Sequence, residues 1–274
     1  MKYTVHAIMT GELESMPEVS LMGGGKHPDI PWEEIKPYYY RTDIVRPDGT
    51  ISEGSMVPCW VWYLEGGDKK ILVDTGMGSA EEVINCQANY GICLAANKKP
   101  EWELEIGLKE YGLTPDDIDI IVISHCHFDH IANNHLFKNA KFIVQRAELP
   151  WALSPPPYGA YFYREFSHYV RDVLDRTVAI DGDYQVAPGV RMLRIGGHSP
   201  GSAATLVDTK EGRVALAGDC MYNYRNLEFN WPQGPYYRLD ELMAGYQRLK
   251  MEGDIVVPQH DYHFIDLFPN RRIG

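Results

Sequence analysis

Residues Ser124–His130 read S-H-C-H-F-D-H, which places His125, His127, Asp129 and His130 within one short stretch. In an extended chain, His125 and His127 at i and i+2 point the same way. Asp129 and His130 come round on the turn that follows. Imidazole and carboxylate groups at this density supply half of a site for a borderline divalent cation. Three more polar residues each follow an apolar, strand-like run: His198 in G-G-H-S-P-G, Asp219 in A-L-A-G-D-C and His260 in V-V-P-Q-H-D. Any one of them alone reads as a buried structural residue. Three repeats of the arrangement beside the cluster read as a ligand set. Seven ligands suit two metals, one held by His125, His127 and His198 and the other by Asp129, His130 and His260, with Asp219 free to bridge. Two such cations lower the pKa of a shared water and clamp both ends of a hydrolytic displacement. Zinc is the first choice for these donors, with iron, manganese and cobalt open.

Strands must deliver these residues. Tyr3–Met9, Val57–Leu64 and Lys70–Asp74 read as early strands, and Ile118–Ser124 as a buried strand ending just before His125. Lys141–Gln145, Val190–Ile195, Ala203–Asp208, Arg213–Ala217 and Ile255–Pro258 read as later strands. Helical spacing marks Trp102–Tyr111 and Leu239–Met251; Ala147–Leu153 starts a helix, and Tyr158–Val173 reads as helical. Two sheets packed face to face with helices outside would line the ligand-bearing strand ends along one edge. Residues 12–56, with Gly23–Gly25 and Tyr38–Tyr40, read as a flap or insertion near the site.

Composition bounds the class. The 274 residues carry 26 Lys+Arg against 38 Asp+Glu, a formal charge of −12, so a phosphate-backbone partner is not expected. Hydrophobic residues at 45% and charged residues at 23% are those of a globular chain, read as one domain over 1–274. Met1–Gly11 alternates like a strand, not a signal peptide, and no apolar run is long enough to span a membrane. The five cysteines are odd in number and form no C-x-x-C pair, as in reduced cytoplasmic thiols. Cys126 and Cys220 flank ligands and are expected to point away. His135 and His263 read as structural or rim histidines, and His6, His27 and His168 take no role.

The H-C-H-F-D-H run with His198, Asp219 and His260 resembles the H-x-H-x-D-H signature of the metallo-β-lactamase superfamily, and K-I-L-V-D-T-G-M at 70–77 resembles its early strand and aspartate loop. The likeness runs from Val57 to His260 and is greatest to the N-acyl-homoserine lactonases, through P-C-W-V-W-Y-L, F-I-V-Q-R-A-E, D-Y-Q-V-A-P-G-V and G-H-S-P-G. It implies a four-layer αββα sandwich with the metal site at one edge of the two sheets. It implies that Asp74 orients a ligand histidine and that Tyr222, three residues after Asp219, is the lactonase tyrosine. By that likeness a bridging hydroxide attacks a lactone carbonyl, Tyr222 stabilises the oxyanion and Asp129 shuttles a proton to the leaving ring oxygen. Ser202 departs from the likeness, standing where such lactonases often carry another histidine, and the segment Tyr222–Tyr237 is unusually aromatic. Trp231 and Tyr236, with Tyr222, are candidate substrate contacts.

The reading is thus a metal-dependent lactonase, quorum-quenching by resemblance, acting on a small molecule as monomer or homodimer. Another cyclic ester, amide or thioester, an aromatic lactone among them, is the alternative hydrolase substrate. An iron-dependent redox protein on the same scaffold is the less favoured alternative, and a mono-iron centre would not need Asp129, His130 and His260. The carboxylate pair Asp129 and Asp219 argues against an antibiotic lactamase. The net charge argues against a nuclease. The few residues after His260 argue against a glutathione thioesterase.

Overall fold

The computed structural model describes residues 1–16, 44–52 and 54–274. Its strands begin with β1 (Thr4–Ser15), the short pair β2 (Ile44–Val45) and β3 (Ile51–Ser52), β4 (Ser55–Glu65), β5 (Ile71–Val73) and β6 (Ala96–Asn97). They continue with β7 (Ile120–Val122), β8 (Lys141–Gln145), β9 (Thr177–Ile180), β10 (Tyr184–Ala187) and β11 (Val190–Arg194). The last are β12 (Ala203–Thr209), β13 (Gly212–Leu216), β14 (Ile255–Val257) and β15 (Arg272–Ile273). One sheet runs β15-β1-β4-β5-β7-β8-β9 with β6 on β1; the other runs β10-β11-β12-β13-β14. In the first, β5, β7, β8 and β9 are parallel. In the second only β14 is parallel to its neighbour.

Side-chain alternation builds the layers. On β4, Cys59, Val61 and Tyr63 join a core shared with Leu104, Leu108 and Phe166 on the helical side. Trp60, Trp62 and Leu64 point the other way, between the sheets, against Met192, Val207, Val214 and Phe264. On β13, Val214 and Leu216 face that middle core, while Ala215 joins Leu242, Tyr246 and Leu249 of the helix Leu239–Glu252. Three cores separate four layers, αββα.

The structure shifts several expected boundaries. Residues 12–15 belong to β1, paired through Ser15 with Ser55 of β4, and not to a flap. Of the remaining expected flap, residues 17–43 and 53 lie outside the described residues, Tyr38–Tyr40 with them. Tyr158–Val173 is not one helix: Ala160–Tyr163 and Ser167–Arg171 are separate short helices with a turn at Arg164–Phe166 between them. Trp102–Tyr111 holds a true helix over Leu104–Lys109 alone. The helix Ala80–Asn89, capped by Ser79, escapes the sequence because it buries just Val83, Cys86 and Gln87. Strands β9 and β10 escape it as short edge strands with mixed exposure.

Candidate metal centre

The strand order brings the ligand loops to one edge. β5 and β7 run parallel, so Asp74 and Ser124 leave the sheet side by side, with Asp74 N–H bonded to Val122 O at 2.9 Å. Asp74 has a positive φ of 63°, an unfavourable conformation for a residue with a Cβ. Its carboxylate accepts from Ser124 N at 2.7 Å and Ser124 Oγ at 2.7 Å, and it lies 2.7 Å from His130 Nδ1. The helical turn Phe128–Ile131 then swings Asp129 and His130 inward. Across the sandwich, the G-G-H-S-P-G loop after β11 approaches Leu242 so closely that a Cβ on Gly197 would sit 2.3 Å from the Leu242 nitrogen.

All seven expected ligands converge and are buried. Ligand atoms of His125, His127, His198 and Asp219 lie within 4.8 Å of one another, as do those of His130, Asp219 and His260. Asp219 divides its two oxygens between the groups. Oδ2 is 3.7 Å from His125 Nε2 and 3.3 Å from His198 Nε2, while Oδ1 is 3.0 Å from both His130 Nε2 and His260 Nε2. Asp129 Oδ2 faces the second group, 3.5 Å from His260 Nε2 and 3.7 Å from His130 Nε2. The outer nitrogens are anchored: His125 Nδ1 at Ser124 Oγ, His130 Nδ1 at Asp74, His198 Nδ1 at Pro235 O and His260 Nδ1 at Pro58 O. Such outer contacts fix ring orientation and leave one lone pair for a cation.

The donors fit a metal. His125 Nε2, His130 Nε2 and Asp219 Oδ1 are buried without a well-formed hydrogen bond, a costly state that cation coordination would relieve. Burial, then the neighbouring imidazoles, holds His125 and His127 well below the usual histidine range, in the neutral form a ligand needs. For His130 burial opposes the charge, but Asp219, Asp129 and Asp74 override it and raise the pKa well above that range. Asp219 falls well below the carboxylate range despite burial, because His260, His130 and His125 surround it.

Residues 54–260 match the description of the metallo-β-lactamase superfamily. The chain belongs to that superfamily. The chain is 35% identical over 230 residues to an N-acyl homoserine lactonase of Bacillus cereus, covering 78% of this chain and 86% of the relative. The solved structure of a B. thuringiensis AiiA variant with N-decanoyl-L-homoserine at its active site superposes with a TM-score of 0.73 at 26% identity. That superposition covers 98% of this chain and 99% of the other. An N-acyl homoserine lactone hydrolase with N-hexanoyl-L-homoserine at its catalytic metal centre matches equally, at 0.73 and 26% over 98% and 99%.

Around the ligands, this superfamily member carries Tyr222 between the two groups, its ring centroid 5.1 Å from that of His260 and 5.8 Å from that of His198. Burial, then the charges of Asp219 and Asp129, raises its hydroxyl well above the ordinary range, so it stays a donor. Beside His127 and His198 opens a cavity of about 150 Å³ walled by Trp151, Tyr158, Phe162 and Tyr236. Phe162 stacks on the His127 ring, with centroids 4.4 Å apart. Tyr236 therefore stands on a wall next to the centre. Trp231 is not on that wall; its backbone is tied to Asn226. Within the same aromatic segment, Gln233 Nε2 donates to the backbone carbonyl of Asp219 while its Oε1 accepts from Tyr246 Oη, bracing the backbone that carries the shared carboxylate.

Cys126 and Cys220 pack into the outer cores, away from the ligands. His135 is exposed and bonds Ala132 O, His263 pairs with Asp266, and His27 lies outside the described residues. Sequence reasoning missed two neighbours. Cys59 Sγ lies within 4.8 Å of ligand atoms of Asp129 and His260, a proximity made by strand β4 from far along the chain. Glu148, fully buried just after β8, receives bonds from both ligand loops. Its visible signal was an acid directly after an apolar strand, the pattern shared by Asp219. Burial raises its carboxyl, and bonds from Ser199, Cys126 and Gly201 oppose that rise.

Proposed function

We propose that this chain is a two-metal hydrolase that opens the lactone ring of N-acyl homoserine lactones, working as a single domain. The division of Asp219 between two imidazole groups carries the reading: Oδ2 serves one group and Oδ1 the other. The relatives that bind or hydrolyse acyl homoserine compounds support the substrate. His125, His127 and His198 would hold one cation and Asp129, His130 and His260 the other, with Asp219 shared and Asp74 orienting His130. Imidazole and carboxylate donors suit zinc, with iron, manganese or cobalt as substitutes.

When bound, the cations supply Lewis acidity and an acidified water. The residues do the rest. Tyr222, kept protonated, donates to the carbonyl oxygen as negative charge grows on it. Asp129, facing His130 and His260, takes the proton of the attacking water and passes it to the ring oxygen as the C–O bond breaks. The aromatic wall of Trp151, Tyr158, Phe162 and Tyr236 favours a second reading, a lactone bearing an aromatic ring. The test is a panel assayed on metal-loaded protein: acyl homoserine lactones, aromatic lactones, a thioester and a β-lactam. Ring opening of the acyl homoserine lactones is expected. Turnover confined to the thioester or β-lactam would overturn the reading.

A further inference from the structure

Glu148 lies outside the ligand set, yet its carboxylate touches both loops that carry the three-histidine group. Oε1 accepts from Ser199 Oγ at 2.6 Å and from Gly201 N–H at 2.6 Å, in the loop of His198. Oε2 accepts from Cys126 N–H at 3.0 Å, between His125 and His127. The fit is close enough to dictate a neighbour: a Cβ on Gly201 would lie 2.9 Å from Gln145 Cβ and 3.1 Å from Glu148 Cγ. Glu148 sits in the short turn Arg146–Glu148 immediately after β8, so the first sheet sets its place. The second group is braced differently, through Asp74 on His130 and the Pro58 carbonyl on His260.

We propose that Glu148 is a positioning residue for the His125, His127 and His198 group, clamping two loops from opposite sheets at the spacing that one cation needs. Asp74 holds His130 of the other group and, through Ser124, also reaches His125 of this one. Glu148 thereby sets the affinity of the three-histidine group without a bond to the His130 and His260 group. The inference rests on the two-metal reading above.

The test compares wild type, Glu148→Gln, Asp74→Asn and the double variant by stepwise competition with a chromophoric chelator. Melting of the metal-free proteins is measured alongside. Glu148→Gln sets an N–H against at least one of the three donors and should weaken one equivalent by roughly ten- to a hundredfold. Asp74→Asn, which loosens His130 and, through Ser124, His125, should weaken both equivalents, so Glu148→Gln alone keeps one tight equivalent and the double variant keeps none. Ser199→Ala, a milder cut in the same contact, should move the same equivalent in the same direction and decides the case if Glu148→Gln does not fold. Unchanged binding in Glu148→Gln would overturn the proposal. So would equal weakening of both equivalents in step with lower metal-free melting, or a double variant that keeps one. Wild type binding fewer than two equivalents would overturn the two-metal reading and this inference with it.

Discussion

The floor of the site and its rim are built on opposite terms. On the floor, His125 and His130 are fully buried, and the outer nitrogens of four ligand histidines are each held at a named partner. On the rim, Tyr158 is 78% exposed, Tyr236 43% and Tyr237 46%, carried on short helices and loops. A packed floor permits one arrangement of donors, because interiors tolerate little displacement. A half-exposed aromatic rim can change residue by residue without disturbing the fold. On the proposed function, chemistry resides in the floor and substrate choice in the rim, a partition that variants at both can test.

The largest effect should come from Asp219→Ala, which removes the carboxylate common to both groups. Metal content should fall for both equivalents, and lactone opening by more than about a thousandfold. Elemental analysis beside a ring-opening assay checks both. Tyr222→Phe comes next, with kcat down about a hundred- to a thousandfold and metal content unchanged. Retention of the wild-type rate would take Tyr222 out of the reaction. Asp74→Asn should cost roughly ten- to a hundredfold in metal affinity, most at the His130 group that it bonds directly. Trp151→Ala and Tyr236→Ala should act least, raising KM severalfold for substrates with a large acyl or aromatic group and leaving kcat near wild type. A collapse of kcat in either rim variant would break the partition.

The floor was legible in the sequence because four of the residues cluster after one apolar strand and the other three each follow a strand of their own within a few residues. His198, Asp219 and His260 could be picked out one strand at a time. The two-sheet arrangement was legible for the same reason, since continuous apolar runs such as Cys59–Leu64 on β4 and Val214–Leu216 on β13 mark, locally, strands buried on both faces. What could not be read is what depends on distant contacts. The Pro58 carbonyl meets His260 across a separation of 202 residues, and Ser199 meets Glu148 across 51. Backbone carbonyls leave no residue-type signal at all. The rim was read only in part for a different reason: aromatic residues pack and line pockets alike, so Tyr236 reached the cavity wall and Trp231 did not.

The central claim is that two cations sharing Asp219 open a lactone. Its most direct test titrates metal-free protein with zinc while following ring opening of an N-acyl homoserine lactone. Activity should be absent without metal, rise with added zinc and level off at two equivalents per chain. Full activity at one equivalent, or an intact lactone at two or more, would contradict it.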